Sequence, residues 1–222
     1  MPRYRMLFSK CGPARFISHL DLVRTFARAI RRAGLPVAFS QGFNPHSIFS
    51  FAAPLPVGVA GKNECLDIKL ISDVLPEQIY SLLGAVLPEG IKPGRVWQVP
   101  DNTPSPMSVV ERAVYEVRVE IDKMLTSAGL EERIRSFLGL SEILVPRKTK
   151  KGCEKIRDIR PGIYALAGRV DKGAAVLEME LQAGSNGNVR PEEVVRALVE
   201  QNALAVIPDG LTVIRTGLYP VY

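Results

Sequence analysis

The chain has two histidines, His19 and His46, and both fall in its proline- and glycine-marked first half. If the two rings converge they form an acid/base pair of the kind that cleaves phosphodiesters, one ring taking a proton while the other gives one. His19 follows Ser18 at the start of a helical stretch, where the positive end of the helix dipole lowers an imidazole pKa and keeps the ring neutral. A lone histidine more often packs or caps, and that alternative stays open for both. Two carboxylates are further candidates. Asp21 lies three residues after Ser18, and Asp158 sits in Arg157-Asp158-Ile159-Arg160, where flanking cations hold it ionised or make it one arm of a structural ion pair.

Polyanion chemistry is suggested by two basic groups. Between Arg147 and Arg160 stand Arg147, Lys148, Lys150, Lys151, Lys155, Arg157 and Arg160, seven basic residues against two acidic ones, a net of +5 in a chain of net charge +6. The pattern predicts a solvated Gly-containing loop or a segment that neutralises phosphates and releases their counterions. The second group is Arg24, Arg28, Arg31 and Arg32. At helical spacing these share one side, while Leu22, Val23, Phe26, Ala29, Ile30 and Ala33 share the other. Burying an apolar face requires a polar one opposite, yet solvated faces usually mix signs to gain i,i+4 pairs, and only Asp21 opposes these four arginines. The planar guanidinium suits phosphate and stacks on bases. Phe43 and His46, in a turn with little reason to be buried, complete the RNA-contacting set as residues that stack on or read a base.

Other site types are absent from the sequence. There is no Walker loop, GxGxxG, HExxH or GxSxG. Cys11, Cys65 and Cys153 are odd in number and widely spaced, which argues against a disulfide framework, structural zinc or an iron–sulfur cluster held by one loop. No metal and no cofactor is expected. No run approaches the roughly 18 apolar residues of a membrane helix, and Met1–Arg5 leads into no signal-type apolar region, so the expectation is a cytoplasmic protein without membrane contact.

The elements that must position these residues follow from periodicity. Arg3–Ser9 alternates as a strand, and the helix opens at Ser18 and stops at Gly34 and Pro36. Ile48–Ala53 and Glu64–Ile71 read as strands, Asp73–Leu87 as a helix and Arg95–Val99 as a strand. This β-α-β-β-α-β order is the ferredoxin-like arrangement. Residues 101–108, polar and proline-interrupted, read as a linker. After it come a strand over Ala113–Ile121, a helix over Leu130–Leu138 and a short strand over Glu142–Val145. A hairpin around Asp171-Lys172-Gly173, a helix over Pro191–Asn202 and a strand over Leu211–Leu218 follow. The predicted fold class is α+β: two ferredoxin-like (βαββαβ) domains in tandem, 1–100 and 109–222, the second with one strand too many and the basic loop 147–160.

Several segments together resemble a bacterial family. They are Ser18-His19-Leu20-Asp21-Leu22, Arg28-Ala29-Ile30-Arg31-Arg32-Ala33, Ser40-Gln41-Gly42-Phe43-Asn44-Pro45-His46, Pro54-Leu55-Pro56-Val57-Gly58 and Asp158-Ile159-Arg160-Pro161. The family is the radical-SAM-linked proteins, domains of unknown function encoded beside, or fused to, a radical SAM protein, often near ribosomal-protein and ribonuclease genes. Members commonly continue Asn-Pro-His with Pro-Lys, where this chain has Ser47-Ile48. The resemblance implies a radical SAM protein as partner. Joined to the two cationic groups, it leads to the expectation of a non-catalytic, RNA-binding, substrate-positioning partner of a separate radical SAM enzyme in tRNA or rRNA modification or ribosome-related processing. The rival expectation is an RNA-processing enzyme, either a metal-independent endoribonuclease using His19 and His46 or a base-modifying enzyme using Asp21 or Asp158. Against the nuclease, Leu211–Tyr222 holds only Gly217 where such enzymes carry a glycine-rich loop.

Overall fold

A computed structural model describes residues 1–121, 125–148, 154–201 and 206–220. The fold is mixed α+β, and the chain divides into two compact units, 1–110 with 215–222, and 111–214.

In the first unit β1 (Arg3–Lys10) is followed by a 3-10 turn over Gly12–Phe16, α1 (His19–Arg32), β2 (Phe49–Phe51), β3 (Ala60–Lys69), α2 (Pro76–Val86) and β4 (Ile91–Val99). Strand β1 lies between β3 and β4, antiparallel to both, with Tyr4 opposite Ile68 and Gln98. The short β2 pairs antiparallel with β3, Phe49 opposite Ile68. Pro54 limits β2 to three residues, because it can donate nothing to a ladder. The period of two in β1 sends Tyr4, Met6 and Phe8 into the core, where they meet Leu22, Phe26 and Ile30 of α1, Leu66 and Ile68 of β3, and Ile79 and Leu83 of α2. Phe8 packs edge-on against Phe26 at 5.0 Å and Phe51 at 5.6 Å, the geometry that aromatic quadrupoles favour.

Residues 101–108 are not a free linker. Arg3 donates through Nη2 to the carbonyls of Pro100 and Thr103, and Arg5 donates to that of Pro104 at 2.9 Å. Pro106 is buried at the start of the one-turn α3 (Pro106–Val109), so this segment is fastened to the first unit by its main-chain acceptors. The 109–222 boundary changes as well, because the last eight residues return to the first unit.

The second unit holds β5 (Arg112–Ile121), α4 (Ser127–Leu138), β6 (Leu144–Lys148), β7 (Glu154–Asp158), β8 (Ile163–Asp171), β9 (Ala174–Gln182), α5 (Pro191–Glu200) and the first part of β10 (Val206–Tyr219). Ala113, Tyr115, Val117, Val119 and Ile121 are buried in alternation along β5. Strand β9 pairs antiparallel with β5 and β8. The β8–β9 turn falls where expected, with Lys172 (φ 50°) and Gly173 (φ 77°) both left-handed, as a two-residue hairpin of this twist requires. The basic segment differs from expectation. It is a hairpin of its own, β6 paired with β7 from Leu144↔Asp158 to Lys148↔Glu154, so the unit has two extra strands and not one.

Candidate functional site

The arginine face is positioned by the way α1 begins and ends. The Ser18 hydroxyl oxygen accepts from the Asp21 backbone N–H at 3.2 Å, satisfying one of the orphan donors of the first turn. Gly34 (φ 67°) takes the left-handed position after the last turn. Between them Leu22, Phe26, Ala29 and Ile30 are buried, and Arg24, Arg28, Arg31 and Arg32 are all exposed. Arg24 pairs with Asp21 at 3.1 Å, and Arg28 Nε reaches the Arg24 carbonyl at 3.3 Å. Arg31 and Arg32 make no ion pair among the described residues. Asp21 is occupied in this cap. The Ser18 hydroxyl donates to its Oδ2 and Arg24 binds its Oδ1, in that order holding its carboxyl below the usual range. An aspartate kept ionised and engaged in this way is a poor general acid.

The two histidines have different neighbours. His19 is half-buried, its ring edge-on to Phe51 at 5.5 Å, and its buried Nδ1 has no hydrogen-bond partner. Burial first, and then the charge of Lys10, hold its pKa below the ordinary 6.5. Burial and Lys10 thus both disfavour the imidazolium form of this ring. His46 is exposed, and its Nδ1 lies 2.8 Å from Ser40 Oγ, which also accepts from the His46 backbone N–H. These bonds close the turn 40–46. Among the described residues no hydrogen bond joins the two rings. At the tip of the same turn Phe43 is 106% exposed.

A buried ionic group in the first unit escaped the reading of the sequence. Lys10, Glu64 and Arg215 are 0%, 3% and 3% exposed. Arg215 grips Glu64 bidentately, Nε to Oε1 at 2.8 Å and Nη2 to Oε2 at 2.5 Å, and donates to the carbonyls of Ala53 and Pro54. Lys10 Nζ donates to the Ile17 carbonyl at 2.9 Å, just before α1. Burial lowers the Lys10 pKa, the charge of Glu64 offsets part of that, and Arg215 adds to it. A Cβ on Gly61 would lie 2.6 Å from the Glu64 side chain, so glycine leaves that carboxylate its room. The group ties Pro54, the turn before α1 and β10 to one point. Its one sequence signal was Lys10 and Glu64 standing at inward positions of alternating strands.

In the second unit the basic hairpin is partly committed to its own architecture. Arg147 and Arg157 both donate through Nη1 to the Asn188 carbonyl, at 3.2 and 3.0 Å. Arg160 donates to the carbonyls of Leu138 and Ile163. Asp158 accepts from the backbone N–H groups of Ile143 and Arg160, which in that order hold its pKa below the usual range. Asp158 Oδ1 therefore clamps the backbone at both ends of this segment, and its Oδ2 takes part in neither bond. Lys155 is exposed. The side chain of Lys148, and Lys150 and Lys151 altogether, lie outside the described residues. Among the described residues no group of three or more His, Cys, Asp or Glu is placed to hold a metal ion. No helix among them is long and apolar enough to cross a membrane.

With this geometry in place, a bacterial family model described as "Uncharacterized protein conserved in bacteria (DUF2344)" matches residues 3–191. The chain belongs to this family. The match takes in α1, the Phe43 turn, the buried Lys10 and Glu64 and the basic hairpin, but stops short of Arg215. Comparison of the DUF2344 chain with curated proteins gives no significant match. Among solved structures it is similar to a chain of a Cbf5-Nop10-Gar1 complex, at 8% identity and a TM-score of 0.53, over 97% of this chain and 48% of that one. The likeness is one of fold, and this chain spans about half the length of its counterpart. A heavy metal efflux pump is also matched, at 10% identity and a TM-score of 0.26, over 96% of this chain and 28% of that one.

Proposed function

We propose that this DUF2344 protein is an RNA-contacting, substrate-positioning protein whose chemistry is supplied by a separate radical SAM enzyme. The observation that carries the reading is α1: four exposed arginines, answered by Asp21 alone, on a helix whose opposite face is fixed in the core. Arginine forks on a rigid helix suit a phosphate backbone. Phe43, exposed beside His46 in the 40–46 turn, offers a stacking surface for an unpaired base. Lys155, exposed on β7, adds a cation to the surface of the second unit. The partner is inferred from the resemblance of the Ser18–Leu22 and Ser40–His46 segments. The scattered cysteines are consistent with a cluster held elsewhere.

Both units follow a βαββαβ plan, the first in the order β4-β1-β3-β2 and the second in the order β10-β5-β9-β8 with β6–β7 inserted after α4. The proposal is that they are tandem ferredoxin-like domains.

The test is an RNA-binding titration in increasing salt with tRNA and rRNA fragments. Binding should weaken with salt by about 0.7 log units per log unit of salt for each single-strand phosphate contact. Arg28→Glu with Arg31→Glu should flatten that slope by about two contacts' worth. Absence of binding at low salt, or salt-independent binding, overturns the proposal. Co-purification with the radical SAM protein after nuclease treatment tests the partner separately.

A further inference from the structure

The face of the first unit's sheet that turns away from α1 and α2 carries Arg3, Arg5, Ser50, Asp67 and Lys69, which alternate with the core residues of β1, β2 and β3. A cleft of about 230 Å³ opens on it, lined by Arg3, Ile48, Ser50, Asp67, Lys69 and Asp101. Its floor is prearranged. The Asp67 carboxylate, 6% exposed, accepts from Arg5 Nε at 2.8 Å and Nη2 at 3.0 Å, so its charge is matched and its position fixed. Arg3 is held by the carbonyls of Pro100 and Thr103. Its Nε is nonetheless a buried donor without a hydrogen-bond acceptor, 3.7 Å from Asp67 Oδ2. Leaving such a donor unpaired is costly. The side chains of Lys69 and Asp101 make no hydrogen bond or ion pair with any described residue.

The cleft thus presents an unused donor, Lys69, an unused acceptor, Asp101, and an apolar wall at Ile48, while Arg3 Nε lies buried beneath its floor. A phosphate would meet two carboxylates, and a metal cation would meet Arg3 and Lys69. The size is below the roughly 300–1,000 Å³ of drug-sized sites and suits one flat heterocycle. The strand that lines the cleft continues directly from the turn bearing Phe43 and His46. His46 is two residues from Ile48, a reach of at most about 7 Å along the chain.

We propose that this cleft is a nucleobase pocket for an amino-bearing base, adenine or cytosine, unstacked from single-stranded RNA. The exocyclic amine donates to Asp101, and the ring nitrogen or carbonyl beside it accepts from Lys69. Uracil would turn its O4 toward the carboxylate at that position. The inference rests, for its physiological ligand, on the reading of the chain as an RNA-contacting protein.

The test uses the full chain and two probes. Single-stranded oligo(C) and oligo(U) of equal length are titrated at one salt concentration by fluorescence anisotropy, and free cytidine and uridine are titrated against the Ile48 methyl signals by NMR. The expected result is about tenfold tighter binding of oligo(C) than of oligo(U). Cytidine alone should shift Ile48, and both effects should vanish in Asp101→Ala, an exposed-turn substitution that removes the acceptor and whose fold is checked by circular dichroism. Ser50→Trp, which fills the cleft, should act the same way. Salt-dependent RNA binding with no base preference and no Ile48 shift overturns the pocket and leaves the RNA reading standing. A cytidine shift that depends on Asp101, without binding of any RNA, does the reverse. Neither signal overturns both.

Discussion

Replacing Glu64 by glutamine keeps the side chain's shape and removes the one carboxylate between two buried cations. In the native protein Glu64 and Arg215 are each 4% exposed at the side chain and share two hydrogen bonds, with Lys10 buried beside them. Glutamine supplies one acceptor where two guanidinium N–H groups need two, and its NH₂ faces a donor. Breaking a buried pair by neutralising one partner costs about 3–5 kcal/mol, because the orphaned charge stays desolvated. Here two cations are orphaned, so the upper half of that range is expected. Urea unfolding followed by the fluorescence of Trp97, the chain's single tryptophan and part of β4 in the same unit, reads the effect directly. With a denaturant slope of about 2 kcal/mol per molar, the midpoint should fall by about 2 M. Lys10→Met added to Glu64→Gln should recover part of the loss by removing one orphan. Arg24→Ala, which breaks the exposed Arg24–Asp21 pair, is the control and should leave the midpoint almost unmoved. A shift for Glu64→Gln below about 0.5 M would put the Glu64–Arg215 pair among weak surface bridges and refute the assignment.

His19 should titrate by NMR with a midpoint below 6.5, since burial and Lys10 disfavour its cation. Because the unfolded ring takes up a proton near pH 6.5 while the folded one stays neutral, stability should fall as pH drops from there to the folded midpoint and level off below it. His19→Gln should remove that component, and a midpoint at or above 6.5 refutes it. Cys65, 1% exposed and pushed up to about 12 chiefly by burial, should resist thiol reagents at pH 8 in the native protein and react once unfolded. Native labelling that is lost in Cys65→Ala would contradict this. Arg157→Ala should loosen the hairpin, seen as faster amide exchange near Asn188, with a smaller change in the salt slope of RNA binding than Arg31→Ala. The opposite ranking would show Arg157 to be the phosphate contact.

What was legible in the sequence was what is encoded locally. The alternation of Tyr4, Met6 and Phe8, the Ser18 cap and Gly34 stop of α1, and the Asp171–Gly173 turn each depend on residues within a few positions of one another, and each element stands where it was expected. The basic segment misled because its composition resembles a loop, whereas its pairing depends on Asp158 clamping the N–H of Ile143 and on Asn188 receiving two arginines. Residues 101–108 looked unpackable because apolar side chains are scarce there. Their carbonyls, which any residue supplies, are what Arg3 and Arg5 hold. The buried pairs were out of reach for a related reason. Glu64 and Arg215 are 151 positions apart, and Arg5 and Asp67 are 62 apart, so no local pattern links them.

The arginines divide by this same logic, and the division bears on function. Those that stand alone in strands, Arg5 and Arg215, are desolvated and matched to a carboxylate, so their charge is spent inside the first unit. Those in the dense run of the second unit, Arg147, Arg157 and Arg160, point their donors at carbonyl oxygens, which fixes their forks in place and leaves fewer N–H groups for a ligand. On α1 the side chains lie at helical spacing on a face with little carboxylate to answer them, and among the described residues only Arg28 of the four reaches a main-chain carbonyl, that of Arg24. A guanidinium's availability is set by how many acceptors its own fold puts within reach. By that measure, among the described residues, the four arginines of α1 keep more open donors than Arg147, Arg157 and Arg160.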